Sequence, residues 1–148
     1  MFRIVVLALT ILISFAALSC QSYSTGLQRS VQRADETAAI SALHTVTVAQ
    51  QTYSATTGGD FGTFQQLTAG GYLDPRFDSN KPQMKDYVLT MEVKPKAEGQ
   101  SQGFYSCNAD PEPAGGKVGS HFYADSTSPE LHVHPDRPAT ASDPILRP

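Results

Sequence analysis

Apolar and polar positions follow two different periods along this chain, and the change of period divides it. Over residues 28–54, Ala39, Leu43, Val46, Ala49 and Tyr53 recur at steps of three and four, which draws one apolar stripe along a helix. Gln32, Ser41, Thr45 and Gln51 fall on the opposite face. Val31, Val46, Val48 and several Thr are β-branched and weak helix formers. Packing of the stripe on a sheet must therefore hold this helix more than intrinsic propensity does. Gly58-Gly59 predicts its end. From residue 87 the period falls to two, with Tyr87, Leu89, Met91 and Val93 on one face and Val88, Thr90, Glu92 and Lys94 on the other. This predicts a half-buried strand over 87–94. Further strands are predicted over 104–109, 121–125 and 131–134, joined by a loose loop over 98–103, a Pro- and Gly-rich connection over 111–119 and a turn over 126–129. Between helix and strands, Thr63 is placed to cap one short helical turn. Phe64, Leu67, Tyr72 and Leu73 are placed to pin the following loop to the core. Residues 135–148 hold four prolines and predict an irregular tail that lies against the body. The expected class is α+β, a long N-terminal helix packed on a four-stranded antiparallel sheet.

The first twenty residues follow neither period. Arg3 precedes an apolar run over 4–13, and Ser14-Phe-Ala-Ala-Leu-Ser-Cys20 follows it. One basic residue, a short apolar stretch and then small residues make the plan of a secretory signal. As a helix, residues 4–19 span about 24 Å at 1.5 Å per residue, short of the roughly 20 apolar residues that a spanning helix needs. Ala17-Leu-Ser-Cys20 resembles the lipobox of bacterial lipoproteins. The resemblance implies diacylation of the Cys20 thiol and cleavage that makes Cys20 the new N-terminus. Gln21, where Asp is absent, resembles lipoproteins sorted to the outer membrane. The alternative is that Cys20 ends an uncleaved anchor helix. In either form the expectation is an exported chain tied to a membrane of the bacterial envelope, by lipid or by an apolar helix. Lipid on Cys20 would leave Cys107 without an intramolecular partner, and the aromatic stretch around Cys107 suits a buried thiol. The organisation read from these signals is 1–20 as signal or anchor, 21–134 as folded domain and 135–148 as tail.

Composition narrows the function classes. About 125 residues beyond the signal suffice for one core and not for two domains. The net charge is −3, and no Lys/Arg cluster is present, so a nucleic-acid partner is not expected. Only 17% of residues are charged, against eleven Gly and ten Pro, a balance that suits a loop-rich exported domain.

Candidate chemistry is sparse. His132-Val-His134 in a strand would set two rings on one face about 6 to 7 Å apart, with His121 and Asp136 nearby in sequence. A Zn²⁺ site needs three or four such ligands at fixed geometry, and solvent-facing histidines are the expected reading. Asp125, Ser126 and Glu130 offer oxygens near one turn, fewer than the six or more that Ca²⁺ takes. Turn chemistry, with Asp125 and Ser126 satisfying backbone donors, accounts for them. The motifs of serine hydrolases, zinc proteases and phosphate-binding loops are absent. No catalytic residue, metal ligand or cofactor is assigned, and a non-enzymatic protein is expected.

A long helix with a membrane-embedded start, a connecting loop and a four-stranded meander resembles type IV pilins. Arg33-Ala-Asp-Glu-Thr-Ala-Ala-Ile-Ser-Ala-Leu-His-Thr-Val-Thr-Val-Ala-Gln-Gln-Thr-Tyr53 is similar to the helix of a pilin-like group in which Asn-Glu-x-x-Ala, Leu-Arg-Thr-Ile-Asn and Ala-x-x-Thr-Tyr recur. Gly103-Phe-Tyr, Ala109-Asp-Pro111, His121-Phe-Tyr-Ala-Asp125 and Ala139-Thr-Ala-Ser-Asp-Pro144 resemble the group's sheet and tail. The resemblance covers residues 33–144 and implies a structural or accessory subunit of a type IV pilus or a type II secretion-like system, with other pilin-like subunits as partners. Pilins and pseudopilins carry a Gly cleavage site and a Glu at the fifth mature position. Here no Gly precedes the apolar run, and residues 4–13 contain no acid. The alternative is a free-standing lipoprotein binding module that keeps the fold without filament assembly.

Overall fold

The computed structural model describes the backbone of residues 2–112 and 119–147 and the side chains of residues 27–112 and 119–147. The chain divides into residues 1–34 and 35–148. Helix α1 (Phe2–Thr57) begins in the first unit and ends in the second. Residues 27–34 of it are exposed. Cys20 and the other residues of the expected signal have side chains outside the described residues.

In the second unit the stripe lies where its spacing placed it. Ala39, Leu43, Val46 and Ala49 are buried and Tyr53 packs against them, while Ser41, Thr45 and Gln51 are exposed. The helix ends on Gly58, whose φ of 74° is left-handed. The Gly59 N–H donates back to the Ser54 carbonyl at 2.9 Å. This six-residue closure satisfies a carbonyl that the helix would otherwise leave open. Helix α2 (Phe64–Ala69) is capped by Thr63, with Thr63 and Gln66 exchanging side-chain and backbone bonds in a capping box. A 3₁₀ turn (Pro75–Phe77) then buries Phe77 against Phe64.

The sheet is a pure meander of β1 (Gln83–Met84), β2 (Tyr87–Lys94), β3 (Phe104–Pro111), β4 (His121–Asp125) and β5 (His132–His134), antiparallel throughout and ordered as in the chain. It has five strands and not the four expected. The added strand, β1, is two residues long, too short to show a period. It joins β2 through Lys85, which takes a left-handed φ of 54° although it is not a residue that favours turns. Lys85 reaches back to the buried Asp35 carboxylate at 3.7 Å. On the inner face, Tyr87, Leu89, Cys107, Ala109, Phe122 and Ala124 meet the helix stripe in one core. Cys107 is fully buried and makes no disulfide. Burial first, and Asp110 second, push its thiol pKa far above the ordinary value.

The outer face of the sheet is polar and is crossed by the tail. Ala139 is buried there, its carbonyl accepting from Asn108 Nδ2 at 2.8 Å. The tail then runs beside β5, with Val133 N–H donating to Pro144 O and Leu146 N–H to Leu131 O. An ion pair fixes the bend between. Arg137 grips both oxygens of Asp143 at 2.6 and 2.9 Å, and Thr140 donates to Asp143 from its N–H and its hydroxyl.

A hydroxyl-lined cleft as the candidate functional site

Hydroxyl side chains within a helix ordinarily donate back to the carbonyl one turn earlier. Thr45, Thr52 and Thr57 do so here, to Ser41, Val48 and Tyr53 at 2.8 to 2.9 Å. Thr47 and Ser54 do not. Both are buried, at 7% and 5% exposure, and neither hydroxyl has a hydrogen-bond partner in the protein. They lie two turns apart, at i and i+7, on the side of α1 next to the apolar stripe. Facing them from β3 is Tyr105, whose hydroxyl is likewise buried without a partner. An unpartnered buried hydroxyl costs about 1–3 kcal/mol, and all three oxygens are closed off from solvent.

The residues that carry them line a cleft of about 760 Å³. One wall is the last three turns of α1, with Thr47, Gln51 and Ser54. Opposite stand Tyr105 and the turn between β4 and β5, with Asp125 and Ser126, while Ser101 and Gln102 close one end. Phe61 packs on the Tyr105 ring with centroids 4.9 Å apart. Gly59 is needed at the rim. Its φ is 105°, a Cβ would strike the Ser101 carbonyl, and its own carbonyl accepts from Gly103 N–H.

The cleft carries one acidic group, Asp125. Burial raises the Tyr105 pKa, so the phenol keeps its proton. Burial also acts to raise the Asp125 pKa, but bonds from Thr127, Tyr123 and Ser128 outweigh it and hold the carboxylate below its usual range. Both of its oxygens are occupied, Oδ1 by Thr127 and Ser128 and Oδ2 by Tyr123. Among the described residues the lining includes no His, Cys, Lys or Arg.

The residues singled out in the sequence fall elsewhere or serve the turn. His121 Nδ1 pairs with Asp110 at 2.6 Å, His132 Nδ1 donates to the Asp143 carbonyl and His134 Nδ1 accepts from Asp136 N–H. His121 and His134 stand opposite each other across β4 and β5. Among the described residues no group of three or more His, Cys, Asp or Glu could hold a metal ion. Asp125 and Ser126 bond neighbouring backbone, as turn residues do: Ser126 Oγ accepts from Tyr105 N–H, and Glu130 is exposed. Thr47, Ser54 and Tyr105 were not singled out by sequence reasoning. The available signal was a polar residue at positions one step from the stripe, where a core-facing helix would place apolar ones.

Compared with family models, with curated proteins and with solved structures, the chain finds no significant match in any of the three.

Proposed function

We propose that this protein is a membrane-anchored, non-enzymatic component of the bacterial cell envelope. It presents a pilin-like α+β domain as a structural or accessory subunit of a type IV pilus or type II secretion-like system. The observation that carries the reading is α1. One helix covers both the N-terminal apolar run and the stripe that packs on an antiparallel meander. Apolar side chains also stand outward on that helix, with Leu27, Val31 and Val48 exposed. Among the described residues no helix is long and apolar enough to cross a membrane, and the side chains of the apolar run lie outside those residues.

The intact mass of the protein extracted from membranes tests the form of the anchor. A species starting at Cys20 and carrying diacylglycerol overturns a filament core built from the apolar helix. An unmodified full-length chain overturns lipidation. Release by high salt without detergent overturns anchoring in both forms. A second reading, a lipoprotein binding module that keeps the fold without filament assembly, is favoured by the cleft beside the C-terminal turns of α1.

A further inference from the structure

We propose that the turns of α1 that carry Leu27, Arg29, Val31 and Arg33 lie on an anionic lipid surface, with the two arginines on lipid phosphates. The proposal rests on anchoring through the N-terminus and adds a second contact with the bilayer, one that selects its charge.

Charge is divided unevenly along the chain. None of the fourteen Asp and Glu precedes Asp35, whereas three of the eleven Lys and Arg do, Arg3, Arg29 and Arg33. Residues 35–148 hold those fourteen acids against eight bases, a net charge of −6. The stretch next to the anchor is thus the part of the chain that an anionic surface attracts, and the folded body is the part that it repels. Side chains on these turns are distributed as an interfacial helix requires. At about 100° per residue, Leu27, Ser30, Val31 and Ala34 fall on one side and Arg29 and Arg33 away from it. All six are exposed. Leu27 and Val31 are each 52% exposed, two of the four large apolar side chains that stand exposed among the described residues. The Ser30 hydroxyl donates to the Leu27 carbonyl at 2.8 Å, so it needs no water on that side. Reach selects lipid over a soluble acidic partner. Leu27 follows Cys20 by about 10 Å of helix, and Arg33 by about 20 Å, at 1.5 Å per residue. With the N-terminus held in the bilayer these turns stay close to the headgroups, so even a weak contact is populated through its high effective concentration.

The alternative is a solvated connector that touches no lipid. Full-length protein extracted from membranes is reconstituted into nanodiscs of phosphatidylcholine alone or with about one third phosphatidylglycerol, and amide hydrogen exchange is followed by mass spectrometry. Co-elution with the neutral discs reads the anchor, and exchange over residues 27–34 reads the contact. The expected result is retention on both discs, with exchange over 27–34 slower on the anionic discs by about fivefold for each arginine. The slowing should disappear at about 0.5 M NaCl, where the Debye length is about 4 Å, and in the double variant Arg29→Gln/Arg33→Gln. Both substitutions fall on exposed helix positions and introduce a good helix former, so the fold survives them. Retention with equal exchange on the two discs overturns the contact and leaves the anchor standing. So does slowing that salt and the double variant leave unchanged, or slowing that falls on residues 35–148 instead. Loss of the protein from the neutral discs overturns the anchor, and the proposal with it.

Discussion

Gln50 occupies a stripe position, four residues after Val46 and three before Tyr53, and is completely buried. Its amide does what a strand would do for the loop beyond the helix: Nε2 donates to Gly62 O at 2.6 Å and Oε1 accepts from Gly62 N–H at 2.9 Å. Gln50→Leu keeps the volume but strands both backbone groups, and an expected loss of about 2–4 kcal/mol should appear in urea unfolding. Asp143 sets a pH dependence. Hydrogen bonds from Arg137 first, then from Thr140, hold its carboxyl well below the usual range. The unfolded chain therefore binds more protons, and stability from this group is complete above the unfolded carboxylate value of about 3.9. It is lost as the pH falls from there toward the lower folded value. Asp125 acts in the same direction. Thermal melts across about pH 2 to 6 should show a shallower acid decline for Asp143→Asn than for the unaltered protein. An unchanged slope would remove Asp143 from the acid transition.

At the scale of elements, the helix end is built by two glycines with different duties. Gly58 has a left-handed backbone and open space around it, whereas Gly59 combines positive φ with contact to the Ser101 carbonyl. Gly58→Ala should cost about 1 kcal/mol from backbone strain alone. Gly59→Ala should cost clearly more and should also displace the β2–β3 loop, which paired unfolding and NMR measurements would resolve. The helix stripe, its glycine stop, the Thr63 cap and the alternation of β2 were all legible, because each is a local pattern enforced by one buried face. Strand β1 was not, since two residues carry no period and Lys85 carries no turn signal. The cleft was illegible for another reason. Thr47 and Ser54 come near Tyr105 only when α1 lies across β3, so their shared lack of partners is a property of the packing. In the sequence they look like ordinary helix threonines and serines, such as Thr45, that bond their own backbone.

At the scale of the molecule, the sheet has two faces closed by opposite ends of the chain, the inner by α1 and the outer by the tail. Truncation after His134 removes two backbone bonds beside β5, the Asn108 bond and the cover supplied by Ala139 and Leu146. It should cost about 2–4 kcal/mol and raise hydrogen exchange in β5 before that in β2 and β3. Equal exchange in all three strands would show the tail to be dispensable. The strap also sets a timetable for the newborn chain. Ile145 bridges to His132, thirteen residues before it, so the outer face cannot be sealed until the strap that follows β5 has been made. A chain made N-terminus first thus finishes its helix early and its sheet cover last. Until then that polar face stays open, available to a chaperone until the strap closes.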